Sequence, residues 1–199
     1  MERADAKRLI EGILLVSDQP VPLKRLKDAV GSLEQAEARA LIDELNQQYV
    51  QAQHALRVQE VAGGFQLVTD PALAPALKRA LELPKEDAFS KAALETLAIV
   101  AYRQPLTKAE IEAIRGVDVS GTLETLLERQ FIRVVGRKET PGRPLLYGTT
   151  LEFLQHLGLK DVKDLPVLPA GANITQALIP QPQASESAAR ESSAVTQSH

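Results

Sequence analysis

Apolar positions recur at helical spacing near the start of the chain, where Leu9, Ile10, Ile13 and Leu14 fall on one stripe before the break "SDQPVP". A short helix is expected from Leu23 to Val30. Ser32 and Gln35 then form an S-x-x-Q capping box, opening a longer helix with Leu33, Leu41, Leu45 and Tyr49 on one face. The runs "ALRVQEV" and "FQLVTD" flank Gly63-Gly64, a tight hairpin signal. Asp70-Pro71 reads as an N-cap followed by proline at the first helical position.

The same order of elements returns further along. "SKAALETLAIVAY" is a helix ended by Gln104-Pro105, and Thr107 with Glu110 makes a T-x-x-E box for a short helix closing at Gly116. Ser120 starts a third helix carrying Leu123, Leu126 and Leu127. "FIRVVG" and "LLYGTT" are strands, and Thr149 with Glu152 starts a last helix. Helix, Pro-broken connector, helix, helix, hairpin is the order of a winged helix. The copies share this order and the paired breaks "DQP" and "RQP", without residue identity between them. The expected fold is mainly α with small β-hairpins (α+β), as two tandem winged-helix domains and a disordered C-terminal tail. Boundaries follow from the breaks: residues 1–82, a linker at 83–90, where Pro84 ends a helix, then 91–165, and the tail 166–199. The tail is Ala, Ser, Gln and Pro with one aliphatic patch at Ile174 to Ile179, too little apolar surface to offset chain entropy.

Composition narrows the function. Hydrophobic content of 44% and charged content of 25% are ordinary for a soluble globular protein, and a net charge of −3 supplies no global attraction for nucleic acid. Cysteine is absent, which removes disulfide and thiolate chemistry and fits a reducing cytosol. No segment reads as a signal peptide or a membrane span, so the expectation is a cytoplasmic protein without membrane contact. His54, His156 and His199 are scattered, no strand–Ser–helix elbow places a nucleophile, and Glu110 and Glu112 point to different sides of their helix. No catalytic, cofactor or metal site is expected.

The stretch "VVGRKETPGRPLLYGTT", Val134 to Thr150, concentrates the remaining chemistry. A nucleotide-binding loop would need a helix after its glycines, whereas a strand follows, and no G-x-x-x-x-G-K-[ST] occurs. A DNA-binding wing has Arg133, Arg137, Lys138 and Arg143 to reach phosphates. The third helices oppose that reading. They carry Glu34, Glu37, Asp43 and Glu44 against Arg39, and Glu124 and Glu128 against Arg129, where a groove reader needs cations. Residues 1–82 hold ten basic and twelve acidic side chains, and 83–165 hold twelve of each. A protein-binding module is the third reading. "LETLAIVAY" is apolar almost all round, since Leu94, Leu97, Ile99, Val100 and Tyr102 cannot share one stripe, so its cover comes partly from a neighbouring domain or another chain, or the helix simply sits centrally in a small core.

"SKAALETLAIVAYRQPLTKAEIEAIRGV", followed by "GRKETPGRPLLYGTT" and "FLQHLGLKDVKDLP", resembles the bacterial segregation and condensation protein B family, closely from Ser90 to Pro166. The first domain fits by architecture. The resemblance implies a non-catalytic accessory subunit of the bacterial SMC condensin complex. It would be a homodimer that binds the kleisin subunit, segregation and condensation protein A (ScpA), which in turn bridges the ATPase heads of the structural-maintenance-of-chromosomes (SMC) protein. ATP would belong to that partner. The implied role is chromosome condensation and segregation before cell division, in a nucleoid-associated cytoplasmic complex that meets DNA only indirectly or weakly. On this reading Leu9, Ile13 and Leu15 form the dimer interface. Tyr102, Arg137, Arg143, Leu145 and Tyr147 dock an apolar kleisin segment, with the arginines bonding acidic or backbone groups at its edge. The competing function is a winged-helix DNA-binding transcription regulator.

Overall fold

Helix α1 (Arg3–Val16) buries Ala6, Ile10 and Leu14 and stops at Ser17, whose Oγ donates to the Ile13 carbonyl at 2.7 Å. The computed structural model describes residues 2–31, 33–81 and 89–167. Helix α2 (Leu23–Val30) buries Leu26 and Val30, and α3 (Gln35–Gln51) buries Ala38, Leu41, Ile42, Leu45 and Tyr49. The capping box of α3 is Glu34 with Glu37, not Ser32 with Gln35; Ser32 lies outside the described residues. The Glu37 carboxylate accepts from the Glu34 amide at 3.1 Å and meets the positive end of the helix dipole. Strands β1 (Leu56–Val61) and β2 (Gly64–Thr69) pair antiparallel through a two-residue turn. Ala62 at φ 50° and Gly63 at φ 73° are both left-handed, the twist that matches the strands on either side.

The connector after Pro20 is more than a break. Val21 pairs with Phe65 in β2, through N–H···O distances of 2.8 and 2.9 Å. The close approach explains Gly64: a Cβ there would stand 2.9 Å from the Val21 carbonyl carbon and oxygen, both backbone atoms. Beyond β2, the Asp70 side chain accepts from the Ala72 amide to open a single 3-10 turn, Pro71–Leu73, which leads into α4 (Ala74–Ala80), a helix with no buried residue. Residues 82–88, which hold most of the expected linker and Pro84, lie outside the described residues.

In the second half, α5 (Lys91–Arg103) is capped by Ser90, and α6 (Lys108–Arg115) opens on the Thr107–Glu110 box and closes at Gly116 with φ 72°. Helix α7 (Ser120–Glu128) follows, then β4 (Ile132–Arg137), β5 (Leu145–Thr149) and α8 (Leu151–Leu157). Here the connector supplies a short strand that periodicity did not reveal. β3 (Leu106–Thr107) pairs with β5, giving the order β3-β5-β4. The cap of α8 is Thr150, one residue past the expected Thr149, and it accepts from the Phe153 amide. Thr149 is occupied elsewhere. Its N–H donates to Gln104 Oε1 at 2.7 Å, and its Oγ1 accepts from Gln104 Nε2 at 2.9 Å, which ties the end of α5 to β5.

The molecule is thus α+β, mainly helical with two small antiparallel sheets. Each half has its own core. The first joins Ile10, Leu14, Leu26, Leu41, Ile42, Val21 and Phe65. The second surrounds α5, where Thr96 to Ala101 are all buried, with Ile111, Leu123, Leu126, Tyr147 and Phe153 packed around it. Val61 and Ala62, the tip of the first hairpin, also belong to this second core, at 3% and 7% exposure. Phe89, Leu159, Val162 and Leu165 complete its cover. The all-round apolar helix is therefore clothed by the chain itself, including the neighbouring half, and no second chain is needed for α5. Residues 168–199, nearly all of the expected tail, lie outside the described residues.

Gly64→Ala is expected to lower unfolding free energy by about 1–3 kcal/mol, the usual effect of forcing an extra methyl into a filled space. Gly121→Ala, where a Cβ meets nothing within 4 Å on a helix, is expected to be neutral or slightly stabilising. Urea unfolding of the two variants against the parent measures the difference.

Candidate interaction surfaces

The second hairpin is a basic loop on an apolar base. Gly142 at φ 83° and Arg143 at φ 41° turn the chain between β4 and β5. Arg137 faces Leu145 across the ladder, and its Nη1 donates to the Arg143 carbonyl at 3.2 Å, so Arg137, Arg143 and Leu145 do come together. Both arginines are exposed, while Leu145 is half-buried against the second core. Lys138 reaches back to Glu110 on α6. That contact, with the Thr107 amide and hydroxyl, holds the Glu110 carboxyl down at about 2.

Two expected members of this surface lie elsewhere. Tyr147 is 9% exposed and packed in the second core, since the alternation of β5 turns it inward; its ring supports the hairpin and does not face solvent. Tyr102 donates its hydroxyl to the Pro166 carbonyl at 2.9 Å, so it fastens the C-terminal segment to α5, and burial raises its pKa. In their place the structure presents Val134 and Val135, 43% and 45% exposed. Strict alternation would turn one of two neighbouring valines inward. The register shift between Val134 and Gly136 lets both face out, the local effect of a β-bulge. The sequence signal was the doublet in "FIRVVG", which period two alone does not resolve.

The first half presents a different face. On α1, Leu9, Leu15 and Val16 are 40%, 66% and 81% exposed, around Gly12, where a Cβ would meet nothing within 4 Å. Ile13 is half-buried against the first core and borders this strip without lying in it. Val16 belongs to the strip and was missed, because it follows Leu15 off the buried stripe. Exposed apolar side chains clustered on one helix face mark a contact surface more strongly than scattered ones.

The third helices keep their acidic character. Glu34, Glu37 and Asp43 are exposed on α3, as are Glu124 and Glu128 on α7. Arg39, the one cation of α3, is drawn into a two-pronged bond with Glu60 at 3.1 and 2.6 Å and lies over Phe65. Among the described residues no group of three or more His, Cys, Asp or Glu could hold a metal ion. His54 stacks on Tyr49 and His156 meets Phe131 edge-on, both at 5.1 Å between ring centres. No helix of the described residues is long and apolar enough to cross a membrane.

Comparison with known proteins gives these surfaces a context. The family model described as "Segregation and condensation complex subunit ScpB" matches residues 8–168. Segregation and condensation protein B of Symbiobacterium thermophilum is 49% identical over 160 residues, covering 80% of this chain and 72% of that protein. The protein of the same name from Desulforamulus reducens is 46% identical over 166 residues, 83% of this chain and 91% of its own. A crystal structure of ScpB from Mycobacterium tuberculosis is 32% identical, covers 80% of this chain and 98% of that chain, and has a TM-score of 0.39.

Tyr147→Ala is expected to lower stability by about 3–5 kcal/mol, as loss of a core aromatic does, whereas Arg143→Ala stays within about 0.5 kcal/mol. Calorimetry of both variants checks the contrast. The Glu110 tether has a defined pH window. Its folded pKa, about 2, lies below the ordinary 4.5. Its contribution is therefore complete above pH 4.5 and is lost as pH falls through about 2. Wild type and Glu110→Gln should differ in denaturant midpoint at pH 7 and converge near pH 2.

Proposed function

The chain belongs to the segregation and condensation complex subunit ScpB family, and from that premise we propose that it is the non-catalytic accessory subunit of the bacterial SMC condensin complex. The observation that carries this reading is the family match, which runs through both halves from residue 8 to 168. Each half is read as a winged-helix domain, the first over residues 1–82 and the second over 91–165. The repeated order of helices and hairpin supports this, as does the pairing of each Pro-broken connector with its hairpin, a single bridge in the first half and a two-residue strand in the second.

The first domain forms the homodimer through α1. Leu9, Leu15 and Val16 supply the apolar contact, Ile13 its border, and Gly12 room for close approach of a facing helix. The second domain docks the kleisin ScpA through the β4–β5 hairpin. Val134, Val135 and Leu145 would meet aliphatic side chains, and the exposed Arg137 and Arg143 would take carboxylates or carbonyls beside them. The SMC ATPase is reached through the kleisin. DNA contact is weak and blind to sequence, because the exposed carboxylates of α3 and α7 repel phosphate where a groove reader would need cations. A role at the nucleoid in chromosome condensation and segregation follows from the assembly.

Co-purification with ScpA tests the reading. Wild type is expected to retain the kleisin through gel filtration, and the double variant Arg137→Glu/Arg143→Glu to lose affinity by about 10–100-fold while keeping its melting temperature. Leu15→Asp with Val16→Asp should convert the sedimenting species from two chains to one. A purified protein that binds one DNA sequence tightly at physiological salt without kleisin would instead favour a transcription regulator.

A further inference from the structure

The tip of the first hairpin is held by the second half through contacts of three kinds. Its two turn amides donate outward, Ala62 N–H to the Leu159 carbonyl at 2.8 Å and Gly63 N–H to the Lys160 carbonyl at 2.9 Å. Val61 and Ala62 are buried in the core around α5. Glu60, beside the tip, takes Lys160 at 2.8 Å on the same carboxylate that holds Arg39 at 2.6 Å. Hydrogen bonds from Arg39 and then Lys160 hold the Glu60 carboxyl down at about 2. The receiving ledge is shaped for this. Gly158 ends α8 at φ 67°, and the Gln59 side-chain Nε2 lies 3.2 Å from where a Cβ on it would stand.

The amides of a two-residue hairpin turn ordinarily face water, and this hairpin already has a complete ladder from Leu56–Thr69 to Val61–Gly64. Nothing in the fold of the first half requires them to find partners. The contact is also small: two backbone bonds, two buried side chains, the Glu60–Lys160 pair and a Gln155–Gln19 side-chain bond at 3.3 Å, of the size that permits relative motion of two halves whose other core residues form separate clusters. We propose that the hairpin tip is a releasable latch, seated in the Gly158–Lys160 ledge of its own chain, which fixes the two halves relative to each other and opens without unfolding either. Closed, it places the α1 strip and the β4–β5 hairpin in one fixed relation and withdraws the first hairpin from outside partners. Open, it exposes Val61, Ala62, two amide donors and two carbonyl acceptors. A partner that needs the halves apart shifts the equilibrium by its preference for the open form.

Lys160 and Glu60 allow a test on the full chain, because a carbodiimide couples an amine to a carboxylate in direct contact. The Glu60–Lys160 isopeptide is expected in the single-chain band. The amides of Ala62 and Gly63 should exchange hydrogen about tenfold or more slowly in wild type than in Lys160→Glu, which sets two carboxylates against each other. Exchange at Val21 and Phe65, paired within the first half, should be equal in the two proteins. The latch is overturned by the cross-link appearing only between two chains. It is equally overturned by free exchange of the Ala62 and Gly63 amides in wild type, by unchanged exchange in Lys160→Glu, or by Val21 and Phe65 losing protection in step with the tip.

Discussion

Burial of α5 on every side is the constraint from which the arrangement of this protein follows. A helix at the edge of a small core needs one apolar stripe, whereas α5 buries six consecutive residues from Thr96 to Ala101. Ile111, Leu123, Leu126, Tyr147 and Phe153 of the second half pack around it. The cover is completed by the segment after α8, through Leu159, Val162 and Leu165, and by the hairpin tip of the first half. The C-terminal segment is fastened by the Tyr102 hydroxyl, and the tip by its two turn amides. The need to exclude water from one helix thus brings together parts of the chain that are distant in sequence.

The same solution to a smaller problem appears in both halves. Each first helix ends at a proline-containing break, and residues after the proline return to pair with the hairpin, Val21 through a single bridge to Phe65 and Leu106–Thr107 as a short strand. Each time, a glycine of the adjoining strand gives room. Gly64 faces the backbone of Pro20 and Val21, and Gly148 faces the Gln104 amide, where a Cβ would stand 2.8 Å from Oε1. Gln104 in turn bonds Thr149 on both its amide and hydroxyl. Gly64 is required by close approach of backbone rather than by an unusual conformation, and Gly148 makes room for the Gln104 and Val135 side chains.

Charge divides the remaining surface. The helices that would enter a DNA groove expose carboxylates, and the cation of α3 is bound to Glu60. Three exposed arginines of the second half, Arg133, Arg137 and Arg143, gather instead on the β4–β5 hairpin beside Val134 and Val135. Cations next to apolar side chains suit a polypeptide with acidic and aliphatic residues better than a uniform polyanion.

The sequence by itself determined the elements and the family. In detail, the first turn falls at Ala62–Gly63 instead of Gly63–Gly64, Leu9 of the expected α1 stripe is exposed and Leu33 precedes α3. The Thr107–Glu110 box and the stop at Gly116 are local signals, settled by residues within one turn of each other, and the structure has both where the pattern placed them. The order helix, helix, helix, hairpin in each half was legible for the same reason, as were the acidic third helices and the grouping of Arg137, Arg143 and Leu145. Only the tertiary structure decided which apolar residues are free. Tyr147 and Tyr102 looked available because nothing local consumes them, yet one fills the core and the other holds Pro166. Val16, Val134 and Val135 became the exposed ones, through a helix face left uncovered and a bulge that period two does not encode. The seating of the first hairpin in the second half belongs to the same class. It joins residues about a hundred positions apart, and their complementarity exists only once both cores have formed.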